Sequence, residues 1–285
     1  MLVGIDMYSY HRYFGEVYPQ QGPPPQKMTP EDFLTRAKEL EVDGVTLENC
    51  FMPSLDLGYL GHIRGIVDDY GFDRVWGWGH PNGLEGGTNT EAYKDMIVNF
   101  QYAHTVGAKI MRVVGSSLAF RNDPHGPQLQ RLEKMFKEAV KVAEDNDIKM
   151  AVENHFDFYS YEFQGLLETI ASPYFGLNFD TGNFLRMMDD PVKAMDKLSP
   201  YVLATHVKDL KVQRGVSTDE WFFFSCTPVG EGVVDNATLA QQLKNAGYTG
   251  TLAFEVDFLH PDYENEDVVV AQSVAELKRI TRSLV

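Results

Sequence analysis

At 285 residues with 44% hydrophobic content, the chain is long enough to bury a large core, and one domain spanning residues 1–285 is expected. Its 25 basic and 41 acidic residues give a formal charge of −16, which repels phosphate backbones and anionic lipid and argues against nucleic-acid and membrane partners. Cys50 and Cys226, the two cysteines, lack CxxC spacing, so neither a disulfide framework nor a cysteine-rich metal site is suggested.

The opening MLVGIDMYSYHRYFGE has no basic segment leading into a long apolar run, and no stretch reaches the ~20 apolar residues of a membrane span. A reducing cytoplasm is the expected location. In chain order, a strand over Leu2 to Tyr8 is followed by a loop through Pro23-Pro24-Pro25, expected to lie over the strand ends. A helix opens at Thr29-Pro30-Glu31-Asp32, where a capping threonine precedes proline in the first turn. Strands at Val45–Asn49, Arg74–Trp78 and Lys109–Val114 alternate with helices at Leu57–Tyr70, Thr90–Val106 and Gln128–Asn146. Gly71 and Gly107 stand where helix stops are expected.

From residue 148 onward, four strand-like runs each end in a metal-binding side chain: Glu153 in KMAVENH, Asp180 in FGLNFDTGN, His206 in VLATHVKD and Glu255 in TLAFEVDF. Strand parity places these four on one face with Ala151, Asn178, Ala204 and Ala253, while Val152, Phe179, Val207 and Phe254 take the other. Small and polar groups inside, bulky apolar ones outside, is the pattern of a parallel barrel wrapped in helices. Helices at Tyr161–Ile170, Pro191–Leu198 and Glu266–Leu284 fall between and after these strands. The repeat predicts an α/β fold, a single (β/α)8 TIM barrel of eight strands and eight helices. Leu210–Val234, with its run Trp221-Phe222-Phe223-Phe224, is too long for a simple turn and predicts a small β-hairpin insertion after strand 7.

The short motifs ENH, FDTGN, HVKD and FEVD, in this order at strand ends, resemble the xylose isomerase-like TIM barrel superfamily, also called the sugar phosphate isomerase/epimerase family. The resemblance spans nearly the whole chain. It implies one divalent metal held by Glu153, Asp180, His206 and Glu255. A donor set of three oxygens and one nitrogen suits Mn²⁺, the expected ion, and also Mg²⁺, Co²⁺ or Zn²⁺. It further implies a small-molecule sugar substrate, with Glu153 and Glu255 on opposite sides of it, one removing a proton and the other returning it. The expected activity is isomerisation or epimerisation of a keto or aldo sugar through an enediolate.

Other residues take candidate roles around that centre. His155 shares the parity of Glu153 and is an acid/base candidate; a structural histidine is the alternative. Lys208, two residues after His206, can face a developing enolate or form a salt bridge to Asp209 or Asp257. Arg112 can bind an anionic group or pair with Glu48. His80 lies at the third strand end, where the resemblance implies a substrate-binding histidine, while Trp76 and Trp78 read as core. Asp6, Tyr8 and Tyr10 alternate along the first strand, with His11 and Arg12 following; Tyr8 and His11 are taken as substrate-binding. Gly230-Glu231-Gly232 reads as a turn.

Alternatives follow from the same resemblance. The enolate can instead expel a leaving group, as in inosose dehydratases or C-glycoside deglycosidases, some of which need a small partner subunit. The aromatics near the first strand and at Trp221–Phe224 suit a bulky aglycone. A non-catalytic sugar-binding protein fits less well, because both glutamates are intact. The apurinic endonuclease branch places a histidine where this chain has Asn183, a poor zinc ligand. Homo-oligomers are compatible with the sequence.

Overall fold

The computed structural model describes residues 1–285. Eight parallel strands form a closed barrel: β1 (Leu2–Asp6), β2 (Gly44–Glu48), β3 (Asp73–Gly77), β4 (Ile110–Val114), β5 (Lys149–Glu153), β6 (Phe175–Asp180), β7 (Val202–Val207) and, after a two-stranded insertion, β10 (Thr251–Phe254). The ring closes where β10 pairs with both β7 and β1. Helices α1 (Pro30–Glu39), α2 (Leu57–Tyr70), α3 (Thr90–Val106), α4 (His125–Asn146) and α5 (Ser160–Ile170) return the chain between successive strands. A one-turn α6 (Asn183–Arg186) precedes α7 (Pro191–Leu198), and α8 (Asn236–Asn245) and α9 (Glu266–Ser283) flank β10. No helix is long and apolar enough to cross a membrane.

The parity read from the sequence is the parity of the barrel. Val152, Phe179, Val207 and Phe254 belong to the large apolar cluster, along with core-facing residues of every long helix. Ala151 and Ala204 instead meet Val75 in a small cluster of their own. Small side chains on that face leave room above them for the charged groups at the strand ends. Helix boundaries follow their local signals. Thr29 and Asp32 form a reciprocal capping box on α1, and Gly71 and Gly107 stop α2 and α3 in the left-handed conformation that glycine adopts at least cost.

Three features differ from the sequence reading. The first strand ends at Asp6, not Tyr8, because the Asp6 carboxylate accepts the Tyr8 N–H and caps a 3-10 turn over Met7–Tyr10. Strand alternation therefore does not carry Tyr8 and Tyr10 to one place. Tyr8 faces the strand ends, whereas Tyr10 packs in the core with its hydroxyl donating to Asp267. The α4 helix begins at His125, three residues earlier than Gln128. Helix α8, not located from the sequence, is capped by Asp235 and buries Leu239, Ala240 and Leu243.

The expected hairpin is present, with β8 (Asp209–Val212) antiparallel to β9 (Phe224–Thr227). Its root is held by Asp209, whose carboxylate accepts N–H bonds from Gly230, Gly232 and Val234. A Cβ on Gly232 would strike that carboxylate, so the Gly-Glu-Gly turn has a steric reason.

Candidate active site

The ends of β5, β6 and β7, with the residue after β10, bring Glu153, Asp180, His206 and Glu255 together. One ligand atom from each lies within 4.8 Å of all the others. All four side chains are buried. His206 turns Nδ1 toward the carboxylates, 2.7 Å from Glu255 Oε2 and 3.2 Å from Glu153 Oε1. Its Nε2 lies 3.0 Å from Asp6 Oδ2, a carboxylate behind the ring of the kind that backs metal-binding histidines. Asp180 is oriented by its own loop, since Oδ1 accepts the N–H groups of Gly182 and Asn183. Three converging carboxylates and one imidazole nitrogen are a donor set that fits a divalent ion.

Two buried cations balance the carboxylates. Arg112 donates to Glu48 and places Nε 3.4 Å from Glu153 Oε2. Gly77 makes this pairing possible, because a Cβ there would collide with the Glu48 carboxylate. Lys208 sits 2.7 Å from Asp180, 2.8 Å from Asp257 and 3.2 Å from Glu255. Of the two partners expected for it, Asp257 is the one it meets, while Asp209 is engaged in the hairpin root. Asp257 also takes a two-pronged ion pair from Arg186, and Arg186 lies 4.9 Å from the centre of the Phe156 ring.

This network sets the protonation of its members. Burial pushes the Glu153 carboxyl up, but His206 and Arg112 outweigh it and the net direction is down. Glu255 is likewise drawn down against burial by Lys208 and His206. Asp180 goes the other way: burial dominates and raises its carboxyl to about 6. Burial lowers the His206 imidazole, yet Glu255, Glu153 and Asp6 overcome it and hold His206 well above its ordinary value. Perturbed groups packed in this way are the electrostatic mark of a functional site.

A cavity of about 300 Å³ opens onto the cluster. Glu153, Glu255, His155, Arg112, Lys208, His80 and Tyr8 all line it. His11 does not line it. Its ring stacks behind Tyr8 at 5.2 Å and packs on Tyr18, with Nδ1 held by the Glu16 carbonyl. Trp76 and Trp78 are core, their indole N–H groups bonded to Asn99 and Asp95. Asn183 is buried and accepts from Arg186 and Lys208.

Several lining residues carried no local signal. Glu16 and Tyr18 come from the long loop after β1, and Phe156 follows the end of β5. Glu16 accepts from Tyr8 at 3.0 Å and meets His80 Nε2 at 2.7 Å; burial opposes its charge, but these partners prevail and its carboxyl lies below the ordinary value. Trp221, from the hairpin, also reaches the lining and packs edge-on to Tyr18 at 5.2 Å. The cavity thus has an ionic pole at the strand ends and an aromatic wall supplied by loops.

Known proteins share this arrangement of elements. The sequence of L-ribulose-5-phosphate 3-epimerase UlaE from Escherichia coli O157:H7 (strain EC4115 / EHEC) is 27% identical over 163 residues, 55% of this chain and 52% of that protein. The chain therefore spans about half the length of the curated relatives it matches. The structure of D-psicose 3-epimerase with D-tagatose from Clostridium cellulolyticum H10 superposes with a TM-score of 0.76 at 12% identity, covering 100% of this chain and 99% of that one. The IOLI protein with a bound zinc atom gives 0.76 at 13% identity over the same shares. At such identities the likeness is one of fold. The family model matches residues 34–280, from within α1 to near the end of α9, and by that match the chain belongs to the xylose isomerase-like TIM barrel family.

Proposed function

We propose that this chain is a divalent-metal-dependent sugar isomerase or epimerase working through an enediolate. The observation that carries this reading is the convergence of Glu153, Asp180, His206 and Glu255 within 4.8 Å of one another, with Glu153 and Glu255 on the wall of a cavity. Those four would hold the ion, for which Mn²⁺ is our choice. When bound there, a divalent ion supplies electrophilic polarisation of a carbonyl and a hydroxyl on adjacent carbons. The epimerases to which the chain is similar support the reaction class.

The proton is moved by the chain's own residues. Glu153 and Glu255 reach the cavity from β5 and from the end of β10, and each has two carboxylate oxygens, so one can serve the ion and the other the substrate carbon. One glutamate takes the proton from the carbon beside the carbonyl, and the other delivers a proton to the enediolate. Arg112 keeps Glu153 ionised and aimed, and Lys208 does so for Glu255. His155 lines the same wall with Nδ1 free of hydrogen bonds, and there it binds or exchanges a proton with a substrate hydroxyl. His80 and Tyr8, linked through Glu16, hold hydroxyls at the far end, and His11 positions Tyr8 from behind.

A second reading is favoured by one observation, the placement of Trp221 on the cavity lining. The same enolate could expel a leaving group from an oxidised sugar, with the aglycone against the indole, which would make the chain a lyase. Turnover of Mn²⁺-loaded protein in deuterated water decides between them. Deuterated isomers or epimers from free ketoses support the first reading, whereas released aglycone from 3-keto-glycosides transfers the site to the second. Sugar binding with neither exchange nor aglycone release across the panel would reject both.

A further inference from the structure

The two basic side chains on the cavity lining, Arg112 and Lys208, are both already paired with carboxylates. The contiguous ion-paired groups around the cavity are Asp6, Glu48, Glu153, Asp180, Glu255 and Asp257, set against Arg112, Lys208 and Arg186. Six carboxyl groups thus outnumber the three fixed cations among them. Glu16, also on the lining, adds another carboxyl group. Each of the three cations already faces at least one carboxylate at ion-pair distance, so none is left to meet a phosphate. A phosphorylated sugar would bring about two further negative charges at neutral pH into this field, at a cost in Coulomb repulsion and desolvation.

The remainder of the wall is built for the opposite kind of surface. Trp221 lies edge-on to Phe258 at 5.4 Å and tilted to Phe156 at 6.2 Å, and Tyr18 adjoins both Trp221 and Phe258. Trp221 is only partly buried and keeps contact with the cavity, as do Tyr18 and Phe156. Arg121, in the loop after β4, comes within 3.5 Å of the Asp219 carbonyl in the hairpin loop.

We propose that the cavity takes an uncharged sugar, without phosphate or carboxylate, whose apolar C–H face or attached ring lies on the wall of Tyr18, Phe156 and Trp221. The inference rests on the proposed function for its ligand class, a sugar, and goes beyond it in fixing charge and orientation. Aromatic rings pack against the C–H face of a sugar while the hydroxyls remain free for Glu16, His80 and Tyr8. Trp221 is then a specificity-determining residue.

The test uses the full chain loaded with Mn²⁺ and two matched pairs, D-fructose with D-fructose 6-phosphate and L-ribulose with L-ribulose 5-phosphate. Binding is read from calorimetry and from tryptophan fluorescence, to which Trp221 alone contributes a cavity-facing indole, since Trp76 and Trp78 are core. At least one neutral sugar should bind ten-fold or more tightly than its phosphorylated partner. Trp221→Ala should weaken that binding at least ten-fold, with Trp221→Phe between the two. Equal or tighter binding of the phosphorylated sugars, or no saturable binding by any of the four, would overturn the proposal. Exchange of solvent deuterium, measured separately, tests the chemistry: exchange without a preference for the neutral sugar sinks only the substrate class, and preference without exchange sinks only the isomerase reading.

Discussion

His206 Nε2 lies 3.0 Å from Asp6 Oδ2, a contact that joins the end of β7 to the end of β1 across the intervening β10. The histidine turns its other nitrogen to the cluster of carboxylates, so Asp6 backs the ring from the side away from the cluster. Replacing it by asparagine keeps the shape and removes the charge. If the cluster holds Mn²⁺ as proposed, Asp6→Asn should weaken its binding by ~10–100-fold, the usual cost of losing a partner behind a metal-binding histidine. Calorimetric titration of the folded variant measures this directly, and an unchanged Kd would remove Asp6 from the site.

Arg112 is buried between Glu48 and Glu153. Taking away one partner of such a pair leaves a charge without compensation, at a cost of ~3–5 kcal/mol. Arg112→Met should therefore lower Tm by roughly 10 °C in a chain of this size. The double variant Glu48→Gln with Arg112→Met no longer buries the orphaned Glu48 carboxylate and should recover part of the loss. Additive effects in the cycle, measured by thermal unfolding, would mean that the two side chains are not coupled.

The barrel, the hairpin and the four-residue cluster were legible because each is written in local patterns. Parity along β5, β6 and β7 tells inside from outside, and strand direction tells which end carries the charge. Asp6 was visible but its role was not, since nothing near residue 6 signals a partner two hundred residues away. Glu16 and Tyr18 lie in a loop whose path is set by packing of Tyr8, His11 and Tyr18 on one another, which no periodicity encodes. Tyr10 was misplaced because an aspartate cap ended the strand early. Helix α8 did have signals, an Asp235 cap and Leu239, Ala240 and Leu243 on one side, but they follow an irregular insertion that obscures where the regular alternation resumes.

If Glu153, Asp180, His206 and Glu255 bind a divalent ion in the folded chain alone, the ion must raise stability by mass action. At Mn²⁺ one hundred-fold above Kd the gain is about 2.7 kcal/mol. Thermal unfolding in increasing Mn²⁺ should show a rising Tm that EDTA reverses. Glu153→Gln and Asp180→Asn should each flatten that rise. A Tm that climbs equally in both variants would place the ion elsewhere.

Asp157 offers a pH test away from the metal ligands. Its carboxylate accepts the N–H groups of His155 and Phe158 through Oδ1, while Oδ2 is buried without a partner. Burial raises its carboxyl well above the ordinary value, only partly opposed by those two N–H bonds. Between the ordinary and the raised value, the folded chain holds a proton that the unfolded chain has released, so unfolding is favoured as pH rises through that window. Asparagine carries no such proton and preserves the Oδ1 acceptor that shapes the loop bearing His155 and Phe156. The stability of Asp157→Asn relative to the parent should thus increase as pH rises above about 4, the ordinary aspartate value, and the difference should reach its low-pH limit below it. Denaturant unfolding at pH 4, 5, 6 and 7 measures the trend; a difference that stays flat, or that shrinks toward pH 7, would mean that Asp157 is ionised in the fold and held by a charge partner.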